Sequence, residues 1–308
     1  MTMPNYPTTF YINRRTSTMS KIIVTAATGE LGKLVVKHLL ARVPASEIAV
    51  SVRNTEKAAE FAELGIEVRY GDWDDPASLE QAYANASKLL LISSPQDESI
   101  SRIRKHVHAI EAAHKAGVPH IVYTSFAFAD VDAFAPLANV HLATEFALKA
   151  SGIPTTILRN TWYQELYMNP SLQAYIDNGS IINSAGTGKI NTATRDDLAL
   201  ATATVLAEDG HQGQVYELAS SESWSYEQLA DILSHVSGKK VAYQSVSDAD
   251  SLQGMLQAGL PEGLVQFVVA IDSKMAAGTE GRTSTDLEKL IGKKPTSIHE
   301  SIALLFNE

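Results

Sequence analysis

Residues 21–32 read KIIVTAATGELG, and the order in which they change character decides the fold. Ile22, Ile23 and Val24 are an apolar run of the kind shown by a strand buried on both faces. A tight turn of small residues follows, and beyond it Leu31, Leu34, Val35 and Leu39 recur at helical spacing. Strand, turn and helix in this order aim main-chain N–H groups and a positive helix end at one spot, which suits a pyrophosphate. Gly29 stands where the main chain must approach phosphate, and Gly32 where the helix packs on the strand. Position 26 is ordinarily a glycine that serves the turn; here Ala26 must find a φ that a Cβ tolerates.

Moving outward, Ile48 to Val52 reads as the second strand, followed by a helix over about Thr55 to Leu64. Sites that prefer NAD place an acid at the end of this strand, against the ribose 2′-hydroxyl. This chain has Arg53, with Lys57 one turn on, and a guanidinium matches a 2′-phosphate in charge and fork geometry. NADP(H) is therefore expected over NAD(H).

Glu67 to Tyr70 is a third strand, ended by Gly71 and Asp72. Asp72 suits either an adenine amino group or the cap of the turn through Asp74, Asp75 and Pro76. Lys88 to Ile92 is a fourth strand, and Ser93, Ser94 and Pro95 follow it as crevice-lining residues or as a plain connecting loop. Ile100, Ile103, Val107 and Ile110 form a helix stripe expected to face the core. His106, His108 and His114 on that helix are expected at the surface or as caps, with no metal implied.

His120 to Thr124 is a fifth strand, a helix covers about Asn139 to Ala150, and Thr155 to Arg159 is a sixth strand. Strict alternation of strand and helix argues for a doubly wound parallel α/β sheet covered on both faces. Past Arg159 the rhythm changes. Asn160, Trp162, Tyr163, Tyr167 and Met168 cluster just beyond a strand's carboxyl end, where ligands sit, although core packing accounts for such a cluster too. Thr194 is placed to cap a helix that opens with Arg195. A strand at Val215 to Leu218, another at Val241 to Val246, and helices from Ser225 to Phe306 complete a mostly helical C-terminal part.

Composition narrows the function. The 308 residues carry a net charge of −10 with scattered basic residues, so a phosphate backbone is not the expected partner. There is no cysteine, which removes disulfides, thiolate nucleophiles and Cys-bound metals. No apolar run reaches the ~18 residues that span a bilayer. Residues 1–18 contain Arg14 and Arg15, no acid and no apolar core for a secretory signal. They are expected to be a disordered extension, with an organelle transit peptide as the alternative, and Met19 to open the folded part.

The segments VTAATGELG, VRNTEK, YGDW, KLLLISSP, HIVYTS, ANVHLATE, TILRNTWY and AGTGKINTATRDD, taken in order, resemble the NmrA-like group of atypical short-chain dehydrogenases. Within it they resemble the bacterial NADPH-dependent quinone oxidoreductases and triphenylmethane reductase, from about Ser20 to Phe306. The resemblance implies a Rossmann-type domain over residues 19–160, to which later segments return, and a smaller substrate lobe over 161–308. It implies a cofactor site built from Ala26, Ala27, Thr28, Gly29, Glu30, Leu31 and Gly32 at the pyrophosphate and Arg53 at the 2′-phosphate. Leu91, Ile92, Ser93, Ser94, Pro95 and Gln96 would lie on the nicotinamide side, and Asn160, Thr161, Trp162, Tyr163, Gln164, Glu165 and Thr194 would contribute to the cofactor site as well. Tyr123 and Ser125 belong near the same ring, and Phe126, His141, Trp162 and Tyr163 line the expected acceptor pocket.

Many short-chain dehydrogenases move a proton with a Tyr-x-x-x-Lys pair, and here the corresponding helix has His141 and Glu145. A ketone reduced to an alkoxide needs a proton donor, whereas a quinone or a triarylmethyl cation does not. The expected substrates are therefore strong hydride acceptors, with His141 either donating a proton or bonding to the loop above it. The expected protein is a cytoplasmic NADPH-dependent reductase, monomer or homodimer, with a small aromatic acceptor, no nucleic acid and no membrane. The alternative is an NADP-sensing regulator without turnover. A sugar-nucleotide epimerase needs the missing pair and ranks last.

Overall fold

A computed structural model of the chain describes residues 20–94, 98–129 and 135–307. The expectations for residues 1–18, Met19, Pro95 and Gln96 lie outside the described residues. Six strands come first: β1 (Lys21–Thr25), β2 (Ile48–Val52), β3 (Glu67–Tyr70), β4 (Ala86–Ile92), β5 (Ile121–Phe126) and β6 (Thr155–Asn160). Between them lie the helices α1 (Glu30–Leu40), α2 (Ala59–Glu63), α3 (Pro76–Ala82), α4 (Ser99–Lys115) and α5 (Ala135–Ser151). The six strands pair in parallel in the order β3-β2-β1-β4-β5-β6. Every residue of β2 and β5 is buried, as the continuous apolar runs required of a sheet covered on both faces.

The order reverses between β1 and β4, and the crevice outside their carboxyl ends is where open α/β sheets bind ligands. Hydroxyls pin that crevice. Thr25 Oγ1 donates to the Leu90 carbonyl at 2.9 Å and accepts from Ile92 N–H at 3.0 Å. The Ser93 N–H donates to Thr124 Oγ1 at 3.0 Å, so the ends of β1, β4 and β5 are cross-linked.

Beyond β6 come α6 (Ser171–Asn178), α7 (Arg195–Ala207), α8 (Tyr226–Ser237), α9 (Asp248–Gln257), α10 (Glu262–Ala276), α11 (Asp286–Ile291) and α12 (Ile298–Asn307). Part of this stretch returns to the first unit. Helix α7 packs on α1, α11 packs on α7, and the strand Val215–Leu218 joins the main sheet beside β6. The rest forms its own core around Trp162, Leu172, Trp224, Leu229, Ile271 and Met275. It is not wholly helical: Ala242–Ser245 pairs with Ser180–Asn183.

Helix α4 departs from its sequence pattern. The stripe of Ile100, Ile103, Val107 and Ile110 does not face the core: Ile100 is 81% exposed, and only Ile110 of the four is buried. The buried face is Arg102, His106, Ala109, Ala112 and Ala113 with Ile110. Small alanines let α4 pack closely on α3 and α5, and each of the two polar side chains has a local partner. His106 is therefore an interior residue and not a surface one. Its Nδ1 lies 2.7 Å from Thr144 Oγ1, and Arg102 donates to Ser93 Oγ at 3.0 Å. His108 is half-buried against the Trp73 carbonyl at 3.1 Å, and His114 is exposed. Among the described residues no group of side chains could hold a metal, and no helix is long and apolar enough to cross a membrane.

Candidate functional site

The turn after β1 closes through a hydrogen bond from Gly29 N–H to the Ala26 carbonyl at 3.0 Å. Ala26 has a φ of +50°, in the left-handed region that glycine enters freely and alanine enters at a cost. Gly32 is fixed by contact: a Cβ there would lie 2.4 Å from the Ala26 carbonyl oxygen and 2.7 Å from the Ala27 Cα. Glu30, Leu31 and Gly32 open α1 and have no earlier helical carbonyl to bond. Ala26, Gly29 and Glu30 are exposed at the crevice, Thr28 is half-buried, and Ala27 and Leu31 point into the core.

One cavity of about 230 Å³ runs from this turn along the ends of β2 and β3. Ala26, Thr28, Arg53, Asp72, Ile92 and Ser94 line it, joined by Ser51, Trp73, Asp74 and Lys105, which the sequence did not place at the site. Lys105 comes from α4 and forms an ion pair with Asp74 at 3.0 Å. Gly71 brings the chain close to Ser51 here: a Cβ would fall 2.3 Å from the Ser51 Oγ and displace that hydroxyl. That Ser51 hydroxyl is buried and has no hydrogen-bond partner among the described residues. Asp72 accepts from the Asp74 N–H at 3.0 Å, so it caps its turn while lining the cavity. Lys57 is exposed and outside the cavity; its N–H donates to Asn54 Oδ1.

A second cavity, about 250 Å³, lies at the ends of β4, β5 and β6. Ser93, Ser125, Phe126, His141, Asn160, Thr161, Trp162 and Tyr163 line it, as does Arg102 from α4. Leu166 and Phe267 close its far side and were not legible in the sequence. The rings of Phe126 and Trp162 meet edge-on at 5.2 Å, and Trp162 is held by its indole N–H donating to Glu280 at 2.7 Å. Asn160 is 3% exposed, and neither atom of its amide makes a well-formed hydrogen bond, although it lies near enough to the Tyr163 hydroxyl to pull that group's pKa down against burial.

His141 is buried, with Nδ1 2.9 Å from the Tyr123 hydroxyl and its ring over Phe126 at 6.2 Å. Its partner is thus a strand tyrosine and not a loop above it. Burial, then the charge of Arg102, then His106 push the imidazole down to about 3. Glu145, one turn on, is engaged: it accepts from Ser125 Oγ at 2.5 Å and from Nε and Nη2 of Arg159 at 3.0 and 2.8 Å. Arg159 also reaches Glu217 at 2.9 Å, and these partners raise its pKa.

Three residues named by the resemblance are occupied elsewhere. Gln164 donates to Ser301 Oγ and Ser297 O. Glu165 accepts from the Arg195 N–H at 2.8 Å. Thr194 caps α7, accepting from Asp197 N–H at 3.1 Å. Leu91 is fully buried in the sheet. Another cavity, about 480 Å³, lies between residues 220–224 and 294–300.

The arrangement can hold an extended ligand, with phosphates at the turn and beside Arg53, and a flat ring amide beside Asn160. The chain is similar to known proteins over nearly its whole length. A family model described as NmrA-like matches residues 18–302. Quinone oxidoreductase 2 of Escherichia coli is 44% identical over 286 residues, 93% of this chain and 99% of that protein. Triphenylmethane reductase of Citrobacter sp. complexed with NADP(H) superposes with a TM-score of 0.86 at 46% identity, covering 92% of this chain and 99% of its own. The NADPH complex of the E. coli NADPH-dependent quinone oxidoreductase superposes with a TM-score of 0.87 at 44% identity, covering 93% and 100%.

Proposed function

The chain belongs to the NmrA-like family, and from that premise we propose that it is an NADPH-dependent reductase of quinones or similar flat, electron-poor aromatic acceptors such as triphenylmethane dyes. The observation that carries the reading is the aromatic cavity at the carboxyl ends of β5 and β6, adjoining the crevice that begins at the glycine turn. When bound, NADPH supplies the hydride. The chain's residues do the rest. The turn at Ala26–Gly32 and Arg53 hold the phosphates, and the buried Asn160 amide, which makes no well-formed hydrogen bond, suits the carboxamide of a nicotinamide. Phe126, Trp162 and Tyr163 exclude water and orient a flat acceptor. Burial holds His141 neutral, and Glu145 is engaged by Arg159 and Ser125. That suits acceptors whose reduced form takes its proton from water.

The acidic balance and scattered basic residues support a small-molecule partner over nucleic acid. The experiment is direct: mix the protein, NADPH and a simple benzoquinone and follow the NADPH absorbance. Loss above the uncatalysed rate supports the reductase. No loss across several acceptors, with NADPH bound, points to the NADP-sensing regulator instead.

A further inference from the structure

A fourth cavity, about 300 Å³, sits behind the acceptor pocket and shares Trp162, Leu166 and Phe267 with it. It is lined largely by apolar and aromatic side chains from α6, α8, α9 and α10. Its mouth is apolar: Leu260, Leu264 and Phe267 are each 38–48% exposed. Among these residues stands Asp272 of α10, 1% exposed. Neither of its carboxylate oxygens makes a well-formed hydrogen bond among the described residues, although the Ser184 main chain lies near enough to lower its pKa against burial. An unpaired buried carboxyl costs free energy, so its presence against a cavity calls for a ligand.

The aromatic surroundings specify the ligand's charge. Tyr167, Tyr175 and Tyr226 line the same cavity, and the Asp272 charge contributes to raising the pKa of each, after burial. A carboxylate ringed by aromatic side chains is the environment in which an ammonium group gains both an ion pair and cation–π attraction. We infer that Asp272 and its tyrosines form a subsite for a cationic nitrogen carried by the aromatic acceptor, making Asp272 a determinant of which acceptors bind. This rests on the adjoining cavity being the acceptor site. The groups facing Asp272 are those tyrosines, Tyr243, Asp248 and the Ser184 main chain; none is a cation. Burial, then the Asp248 charge, hold the carboxyl up at about 7, partly offset by Ser184, so the site is to be probed above that pH.

The experiment compares 2-phenylethylammonium with neutral 2-phenylethanol by titration calorimetry at about pH 8.5, where Asp272 is ionised and the amine protonated. The whole protein is used, wild type and Asp272→Asn. Wild type is expected to bind the ammonium at least about tenfold more tightly than the alcohol, as a charge-assisted pair supplies. Asp272→Asn is expected to lose that preference while keeping its affinity for the alcohol, which also shows the variant folded. Equal affinities in wild type, a preference that survives in the variant, or no binding of either probe overturns the subsite. The wild-type comparison stands even if the variant does not fold. Failure of the reductase reading is seen separately, as absence of NADPH oxidation with benzoquinone on the same sample.

Discussion

The Tyr123 hydroxyl and His141 Nδ1 stand 2.9 Å apart, buried under Phe126, and this pair occupies the place where a proton donor would be sought. Burial pushes the imidazole down to about 3 and the phenol up, so neither group changes charge between pH 5 and 8. The kcat for quinone reduction is expected to show no break near the ordinary histidine pKa of ~6.5. His141→Gln is expected to lower kcat by less than about tenfold, by loosening the pocket wall. A pH–rate profile settles it: a break near pH 6.5 that vanishes in His141→Gln would make His141 the acid.

The turn gives a pair of opposite substitutions. Gly32→Ala drives a Cβ into the main chain of Ala26 and Ala27, at 2.4 and 2.7 Å, and backbone cannot yield as a side-chain tip does. A loss of roughly 3 kcal/mol in stability and of NADPH binding is expected. Ala26→Gly relieves the +50° φ but adds unfolded-state entropy, so it is expected to stabilise by at most about 1 kcal/mol. Urea denaturation of both variants checks the order. An Ala26→Gly protein less stable than wild type would show that the turn takes another conformation.

These two positions also show what was legible in the sequence. The turn, the six strands and Arg53 lie in one stretch each, and local pattern fixes them. Arg102 and His106 were not readable, because α4 turns its alanines inward and leaves Ile100 in water, against the hydrophobic rule. The Val215–Leu218 strand was visible as a strand, but its return to the β6 edge depends on pairing 58 residues away, between Val215 and Ile157. Phe267 and Asp272 reach the cavity they share with Trp162 only through the packing of α10, and no motif marks that placement.

Arg53 and Lys57 separate by position. Arg53 lines the cavity beside Ser51 and Asp72, whereas Lys57 lies outside it. Arg53→Ala is expected to weaken NADPH by about 10- to 100-fold and NADH far less, as loss of a charged hydrogen-bonding pair would. Lys57→Ala is expected to change either by less than about threefold. Titration calorimetry with both dinucleotides reads the difference. An Arg53→Ala protein that still discriminates them would move the 2′-phosphate contact to Lys105.

Stability against pH has two buried contributions of opposite sign. His106 and His141 sit at about 3 when folded and near ~6.5 when unfolded, so below pH 6.5 the unfolded chain binds more protons. Stability therefore falls on acidification from pH 6.5 towards 3, by up to roughly 2 kcal/mol for each histidine at pH 5. Asp272 runs the other way. Its folded pKa of about 7 lies above the ordinary carboxyl value, so the folded chain holds the extra proton, and stability falls as pH rises from about 4 to 7. Above pH 7 the full penalty of up to ~4 kcal/mol stands. Asp272→Asn removes that charge without changing shape, so its stability relative to wild type is expected to improve by a few kcal/mol between pH 4.5 and pH 8. Urea unfolding at both values measures the change. A difference between the two proteins that is the same at pH 4.5 and pH 8 would mean that Asp272 ionises as freely in the folded chain as in water.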